Sequence, residues 1–256
     1  MEFGYILAGF AVGFLVGLTG VGGGSLMTPI LLLIYNIKPA VAVGTDLLYA
    51  SITKSVGIFA HGKLGNIDWR IVKRLATGSV PASILTLWAL HDMDLQSGDV
   101  VTTIKFWLGV ALIITSAAVL LRNKLISLVS KDEWIPARYV PAATVVLGAT
   151  LGGLVTLTSV GAGALGVTAL IMLYPKDKIT TIVGSDIAHA VPLTLVAGLG
   201  HASLGTIDYS LLGTLLIGSI PGIYLGSHMS SRVAEHWVRI ALAMILIYVG
   251  FKLVFH

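Results

Sequence analysis

Cysteine is absent from all 256 residues, so disulfides, thiolate metal sites and cysteine nucleophiles are excluded. Charge is scarce too: Asp, Glu, Lys and Arg make up 11% of the chain, against about 25% in soluble domains. No basic stripe interleaved with aromatics occurs, so no nucleic-acid partner is expected. A nucleotide-binding P-loop is lacking, and so is metal-ligand spacing of the H-E-x-x-H kind. Neither a cofactor nor a resident metal is therefore expected. The opening "MEFGYILAGF" has no Lys or Arg before its apolar run and is not read as a cleaved signal.

What remains is apolar. Hydrophobic residues make up 56% of the chain, and mean hydropathy is +0.94. A bilayer span needs about 20 apolar residues. Six runs meet that length: 41–60, 71–90, 101–121, 180–200, 208–229 and 236–255. Two longer apolar regions, 4–36 and 140–174, are interrupted by "LTGVGGGSL" (18–26) and "LTSVGAGAL" (157–165). Each reads as two short helices joined at a glycine-rich apex, either a hairpin that enters the membrane and returns or a pair of short tilted spans.

The chain repeats itself. "GFLVGLTGVGGGSL" from Gly13 matches "GGLVTLTSVGAGAL" from Gly152, an offset of 139. At an offset of 140, "VGTD" (43–46) matches "VGSD" (183–186), "HGKLGNID" (61–68) matches "HASLGTID" (201–208), and "GSVP" (78–81) matches "GSIP" (218–221). The expected organisation is a first repeat over 1–121, a cytoplasmic linker over 122–139 and a second repeat over 140–256. Basic residues gather in 61–74, 122–138 and 230–239, whereas 91–99 is acidic and 201–207 carries no Lys or Arg. The positive-inside rule puts the first three in the cytoplasm and the last two outside. Equivalent loops then lie on opposite sides, and both termini lie outside. The expected fold class is an all-α polytopic membrane protein of two inverted repeats, each a broken hairpin followed by three transmembrane helices.

Inverted repeats around interrupted helices are characteristic of secondary transporters. Irregular backbone at membrane depth is tolerated where it lines a cavity or is buried in protein. The half-helix N-termini near Ser25 and Ala164 would offer free N–H groups and a positive dipole end to an anion. The candidate substrate-binding residues are accordingly Thr19, Gly22, Gly23, Gly24 and Ser25 in the first half, and Thr158, Ser159, Gly161 and Gly163 in the second.

The glycine stretch followed by Pro29, "VGTD" heading the next helix and "HGKLGNIDWR" (61–70) together resemble the sulfite exporter TauE/SafE family over nearly the whole chain. The resemblance implies a polytopic inner-membrane carrier with two homologous halves that moves small, often sulfur-containing anions such as sulfite or organosulfonates. Its partners would be the small anion, the lipid bilayer and, in a homodimer, a second copy.

Other polar residues lie within the spans. Lys54 is an anion ligand, a partner of Asp46 or Asp186, or a lysine snorkelling to the cytoplasmic surface. Asp46 and Asp186 either cap their helices with Thr45 and Ser185 or carry the proton that couples transport. His189, opposite Tyr49, is a satisfied core histidine or a substrate ligand. His61 and His201 read as structural residues closing helix ends, and Pro81 and Pro221 as symmetric kink sites. A secondary anion transporter working by alternating access is the leading expectation. An anion channel and a membrane-embedded enzyme are the alternatives.

Overall fold

The computed structural model describes residues 2–19, 26–63, 66–95, 97–129, 135–229 and 235–255; the side chains of Thr19, of 56–63, of 123, 125, 126, 128 and 129, and of 235–238 are outside that description. Among the described residues there are ten α-helices and no strand. They are α1 (Glu2–Thr19), α2 (Met27–Leu33), α3 (Pro39–Lys63), α4 (Trp69–His91), α5 (Gly98–Val129), α6 (Val140–Thr158), α7 (Ala164–Leu173), α8 (Ile179–Ser203), α9 (Tyr209–Met229) and α10 (Glu235–Phe255). Four described segments are long and apolar enough to cross a bilayer: Gly98–Arg122, Val140–Thr158, Ile179–Ser203 and Tyr209–Met229. α5 continues past the expected end at 121 into the segment read as a linker. The helix runs unbroken to Val129.

Both interrupted regions are hairpins that return. The Tyr35 hydroxyl, after α2, donates to the Gly4 carbonyl at the start of α1 at 2.6 Å, and the Tyr5 and Tyr35 rings meet tilted at 53° with centroids 4.7 Å apart. In the second half the hydroxyls of Thr144, early in α6, and Tyr174, after α7, lie 2.7 Å apart. The two ends of each hairpin therefore meet at one level. α7, at 10 residues, is about 15 Å long, too short to cross a core of about 30 Å.

Contacts come in duplicate and run between halves. α1 lies along α9, where a Cβ on Gly9 or Gly13 would run into the carbonyls of Leu215 and Ser219. α6 lies along α4, where a Cβ on Gly148 or Gly152 would run into the carbonyls of Leu75 and Ser79. These are the same two pairs, each seen twice through the repeat offset. Small residues let helix backbones approach closely where lipid supplies no hydrophobic drive. α3 packs antiparallel to α8, with Leu48 against Gly198 and Gly44 against His201. α5 packs antiparallel to α10, where Ser116 donates to the Ala243 carbonyl at 2.8 Å.

The repeated motifs meet crosswise. The Asp68 N–H donates to Ser185 Oγ at 2.8 Å, and the Asp208 N–H donates to Thr45 Oγ1 at 3.1 Å. Asp68 and Asp208 are also the helix caps: Asp68 accepts from the Arg70 N–H at 2.8 Å, and Asp208 from the Leu211 N–H at 2.9 Å. This corrects the capping alternative for Asp46 and Asp186. α3 begins at Pro39 and α8 at Ile179, so both residues sit inside helices, where no free N–H of their own segment needs them. Pro81 and Pro221 lie inside α4 and α9 as expected, and Pro192 is a further proline inside α8.

Candidate functional site

The centre of the molecule is polar. Asp46, Asp186, His189, Ser79 and Ser219 are all fully buried, and Tyr49 nearly so. Two of the contacts there are again one pair seen twice. Tyr49 on α3 donates to Ser219 Oγ on α9 at 2.7 Å, and His189 Nε2 on α8 lies 2.7 Å from Ser79 Oγ on α4. Ser79 and His189 thus form a Ser–His pair from different helices. The other ring nitrogen, Nδ1, has no hydrogen-bond partner, so no carboxylate orients the imidazole as a nucleophilic triad requires.

The second hairpin shows why glycine is needed at its apex. Ser159 ends α6 in the left-handed region (φ 58°). Gly163, the residue before α7, has φ 127° and ψ −105°, a conformation open essentially to glycine alone. The Thr158 hydroxyl is used locally: it donates to the Leu154 carbonyl at 2.6 Å and accepts from the Val160 N–H at 3.2 Å. Ser159 Oγ is buried, lies alongside Asp46 and meets no hydrogen-bond geometry. Gly22, Gly23, Gly24 and Ser25, the corresponding candidates of the first hairpin, fall outside the described residues, as does the side chain of Thr19.

Both half-helices point their N-terminal ends at a carboxylate supplied by the next helix. Asp46 Oδ2 accepts from the Thr28 N–H at 3.2 Å and from the Thr28 hydroxyl at 2.5 Å, in the first turn of α2. Asp186 lies against the first turn of α7, so close to Gly166 that a Cβ there would overlap Oδ1. The positive end of each half-helix dipole is thereby met by the protein's own acid. The two halves differ in one respect. Among the described residues, Asp46 has one oxygen outside hydrogen-bond geometry, with Ser159 alongside, whereas both oxygens of Asp186 are outside it, with the Gly163 N–H alongside. The residues matching Thr28 and Met27 at the hairpin offset are Val167 and Gly166, which offer no hydroxyl.

Lys54 crosses between the halves. Its Nζ, on α3, donates to the Ala162 carbonyl in the apex of the second hairpin at 2.9 Å. The snorkelling alternative is thereby corrected: the ammonium points to an unwound segment of the opposite repeat rather than along lipid to the surface. Asp186 is its strongest electrostatic neighbour, followed by Asp46. Neither is within 4 Å of it; Arg70 and Asp68, at the start of α4, do form an ion pair, at 3.0 Å. His201 is satisfied on both nitrogens, by Thr206 Oγ1 at 2.8 Å and the Thr156 carbonyl at 3.0 Å, which fits its structural reading. The side chain of His61 is outside the described residues.

Two cavities open at opposite ends. One, of about 300 Å³, is lined by Arg74, Tyr174 and Lys176 among others; the other, of about 250 Å³, by Lys38, His91 and Asp94. Neither reaches Asp46, Lys54 or Asp186. No group of His, Asp or Glu suited to a metal ion occurs among the described residues.

Sequence reasoning singled out Asp46, Lys54, Asp186 and His189, and the structure brings them into one buried region. It did not single out Thr28, Ser79 or Ser219. The "GSVP"/"GSIP" repeat was a usable signal for the two serines. For Thr28 no signal was available beyond its place beside Pro29 in the first turn of a half-helix.

Apolar helices, two returning hairpins and a buried charged centre are the marks of a polytopic membrane transporter, and comparison with known proteins agrees. Residues 5–253 match the family model described as sulfite exporter TauE/SafE, and the chain belongs to that family. It is 41% identical over 256 residues to the probable membrane transporter protein YjnA of Bacillus subtilis, covering 99% of this chain and all of that one. It is 30% identical over 262 residues to the probable membrane transporter protein MJ0441 of Methanocaldococcus jannaschii, covering 94% and 91% of the two chains. YdhB of Bacillus subtilis, also named a probable membrane transporter protein, is 25% identical over 255 residues. No solved structure matches the chain.

Proposed function

We propose that the protein is a secondary transporter of a small anion, sulfite or an organosulfonate, working by alternating access between two inverted repeats. Its setting is the inner membrane, with 66–68, 135–139 and 174–178 on the cytoplasmic side and both termini outside. Support for the inversion comes from α3 against α8 and α5 against α10, equivalent helices that lie antiparallel. The observation that carries the reading is Lys54, a cation of one repeat held by the broken-helix apex of the other at the buried centre. An anion arriving there would exchange the Ala162 carbonyl for itself as the partner of the ammonium. The hydroxyl of Ser159 and the imidazole of His189 are the neutral groups at hand to complete its shell. Asp46 and Asp186 already meet the helix N-termini, so the anion is recruited by Lys54 rather than by the dipoles alone. The two carboxyls are the groups available for proton coupling.

The test is binding of sulfite, thiosulfate, sulfate, sulfoacetate, taurine, acetate and pyruvate to purified protein, by thermal shift and then calorimetry, in wild type and Lys54→Ala. Saturable stabilisation by a sulfur oxyanion, weakened at least tenfold by the substitution, is the expected result. A preference for carboxylates would overturn the sulfur assignment. No binding by any anion would overturn the site.

A further inference from the structure

Asp46 and Asp186 are equivalent in sequence, yet they are not equivalent in their surroundings. Asp46 is held by two donors from Thr28. Asp186 is equally buried, and neither of its oxygens meets hydrogen-bond geometry with a described residue, the Gly163 N–H lying alongside it, although an ammonium stands within electrostatic reach and bonds a backbone carbonyl instead. An ionised carboxylate so placed would carry the full cost of an unpaired buried charge beside a cation that is not turned toward it. A carboxylic acid removes that conflict, because it does not compete with Ala162 for Lys54.

Building on the transporter reading above, we infer that the exchangeable coupling proton is carried by Asp186 alone, that Asp46 is a fixed group, and that Lys54 transmits the state of Asp186 to the second hairpin. With the proton on Asp186, the Lys54 ammonium holds the apex through the Ala162 carbonyl. On release, the O–H bond of Asp186 breaks, its proton leaves to water, and the carboxylate keeps the electron pair. Lys54, still charged, then turns from Ala162 to Asp186 and frees the apex. The apex is irregular backbone, with Ser159, Gly161 and Gly163 all at positive φ, so the Lys54 bond to Ala162 adds to the few backbone bonds at its two ends.

Among the described residues, Lys54 is the charged group that faces Asp186. α3 brings Lys54, which also feels Asp46. Gly163, just before α7, and Gly166, in its first turn, bring no titratable group. On α8 itself the nearest titratable group is His189, which is engaged by Ser79 of α4. Ser159, the polar side chain at the end of α6, lies alongside Asp46.

The experiment is pH-stepped infrared difference spectroscopy on the full-length protein in lipid, with no substrate added, reading the carboxylic-acid C=O stretch. Wild type and Asp46→Asn should show a pH-dependent band, and Asp186→Asn should lose it. A band lost in Asp46→Asn and kept in Asp186→Asn would overturn the assignment, as would no band in wild type. Independently of any variant, dicyclohexylcarbodiimide modifies protonated carboxyls in apolar surroundings. Mass spectrometry of treated wild type should find the adduct at Asp186; an adduct at Asp46 would overturn the proposal. Amide exchange at 158–166, corrected for its intrinsic pH dependence, should rise at least tenfold as the band disappears. That coupling should be absent in Lys54→Met. Exchange that stays flat in wild type would overturn the role of Lys54. These readouts need no cargo, so they stand or fall separately from the anion assignment.

Discussion

The Tyr49 hydroxyl donates to Ser219 Oγ at 2.7 Å, joining the third helix of the first half to the ninth helix of the chain. Its image under the repeat, His189 with Ser79, joins α8 to α4 at the same distance. Both pairs are buried, so each partner depends on the other for its hydrogen bond. Tyr49→Phe should lower stability by about 1–3 kcal/mol, because Ser219 is left without its donor. Thermal unfolding of the purified protein checks this. The double variant with Ser219→Ala should lose less than the two single losses summed; additivity would mean that the pair is not coupled.

The glycines on α9 divide sharply. A Cβ on Gly222 would meet the backbone carbonyl of Phe10, whereas one on Gly213 would meet nothing within 4 Å. Gly222→Ala should therefore cost about 1–3 kcal/mol or more by forcing α1 and α9 apart. Gly213→Ala should be neutral or stabilise by up to about 1 kcal/mol, the gain in helix propensity. Detergent stability assays on the two variants side by side separate helix propensity from backbone contact.

Asp68 caps α4 in front of its basic first turn. Partial burial would raise its carboxyl, and the hydrogen bonds and charge of Arg70 outweigh that and hold it below the usual carboxylate range. A group depressed in the folded state stabilises above its unfolded value, and that stabilisation is lost as pH falls through the folded value. Amide exchange at 69–72 should therefore rise only below the ordinary carboxylate range. Arg70→Gln should move the step up toward that range, and Asp68→Asn should abolish it. A step unmoved by Arg70→Gln would contradict the pairing.

Because the chain has no cysteine, single cysteines report sidedness without background. In whole cells a membrane-impermeant maleimide should label Asp92→Cys and leave Asp177→Cys unlabelled until the cells are opened. The reverse pattern would invert the proposed orientation.

Much of this architecture is legible in the sequence, because a bilayer imposes simple rules. Of the six expected spans, 101–121, 180–200 and 208–229 largely coincide with segments long and apolar enough to cross a bilayer, as does Val140–Thr158, which reads in the sequence as a hairpin arm; the 139–140 offset points to the equivalent residues. The hairpins' return was not legible. A broken apolar region is the same string of letters whether the chain turns back or carries on, and what decides it is Tyr35 meeting Gly4 and Tyr174 meeting Thr144. The caps were misplaced for a related reason. "VGTD" reads as a helix start, but Pro39 begins α3 earlier, and the capping falls to the Asp68 and Asp208 of the next motif. Lys54 was legible as an anomaly, an ammonium in an apolar span. Its partner was not, since a backbone carbonyl 108 positions away leaves no trace in residue identity.

The clasp of α1 on α9, and of α6 on α4, has a consequence for how the protein is made. α1 leaves the ribosome well before α9, and its glycine face has no mate until α9 has been synthesised. At ~5–20 residues per second that is a wait of roughly ten to forty seconds. For that time the nascent first half lies in the membrane with an unfilled groove, in reach of any insertion factor or quality-control protease that reads small-residue helix faces. Assembly is then closed by the last quarter of the chain, so a truncation before α9 strands α1 whatever the first half has achieved.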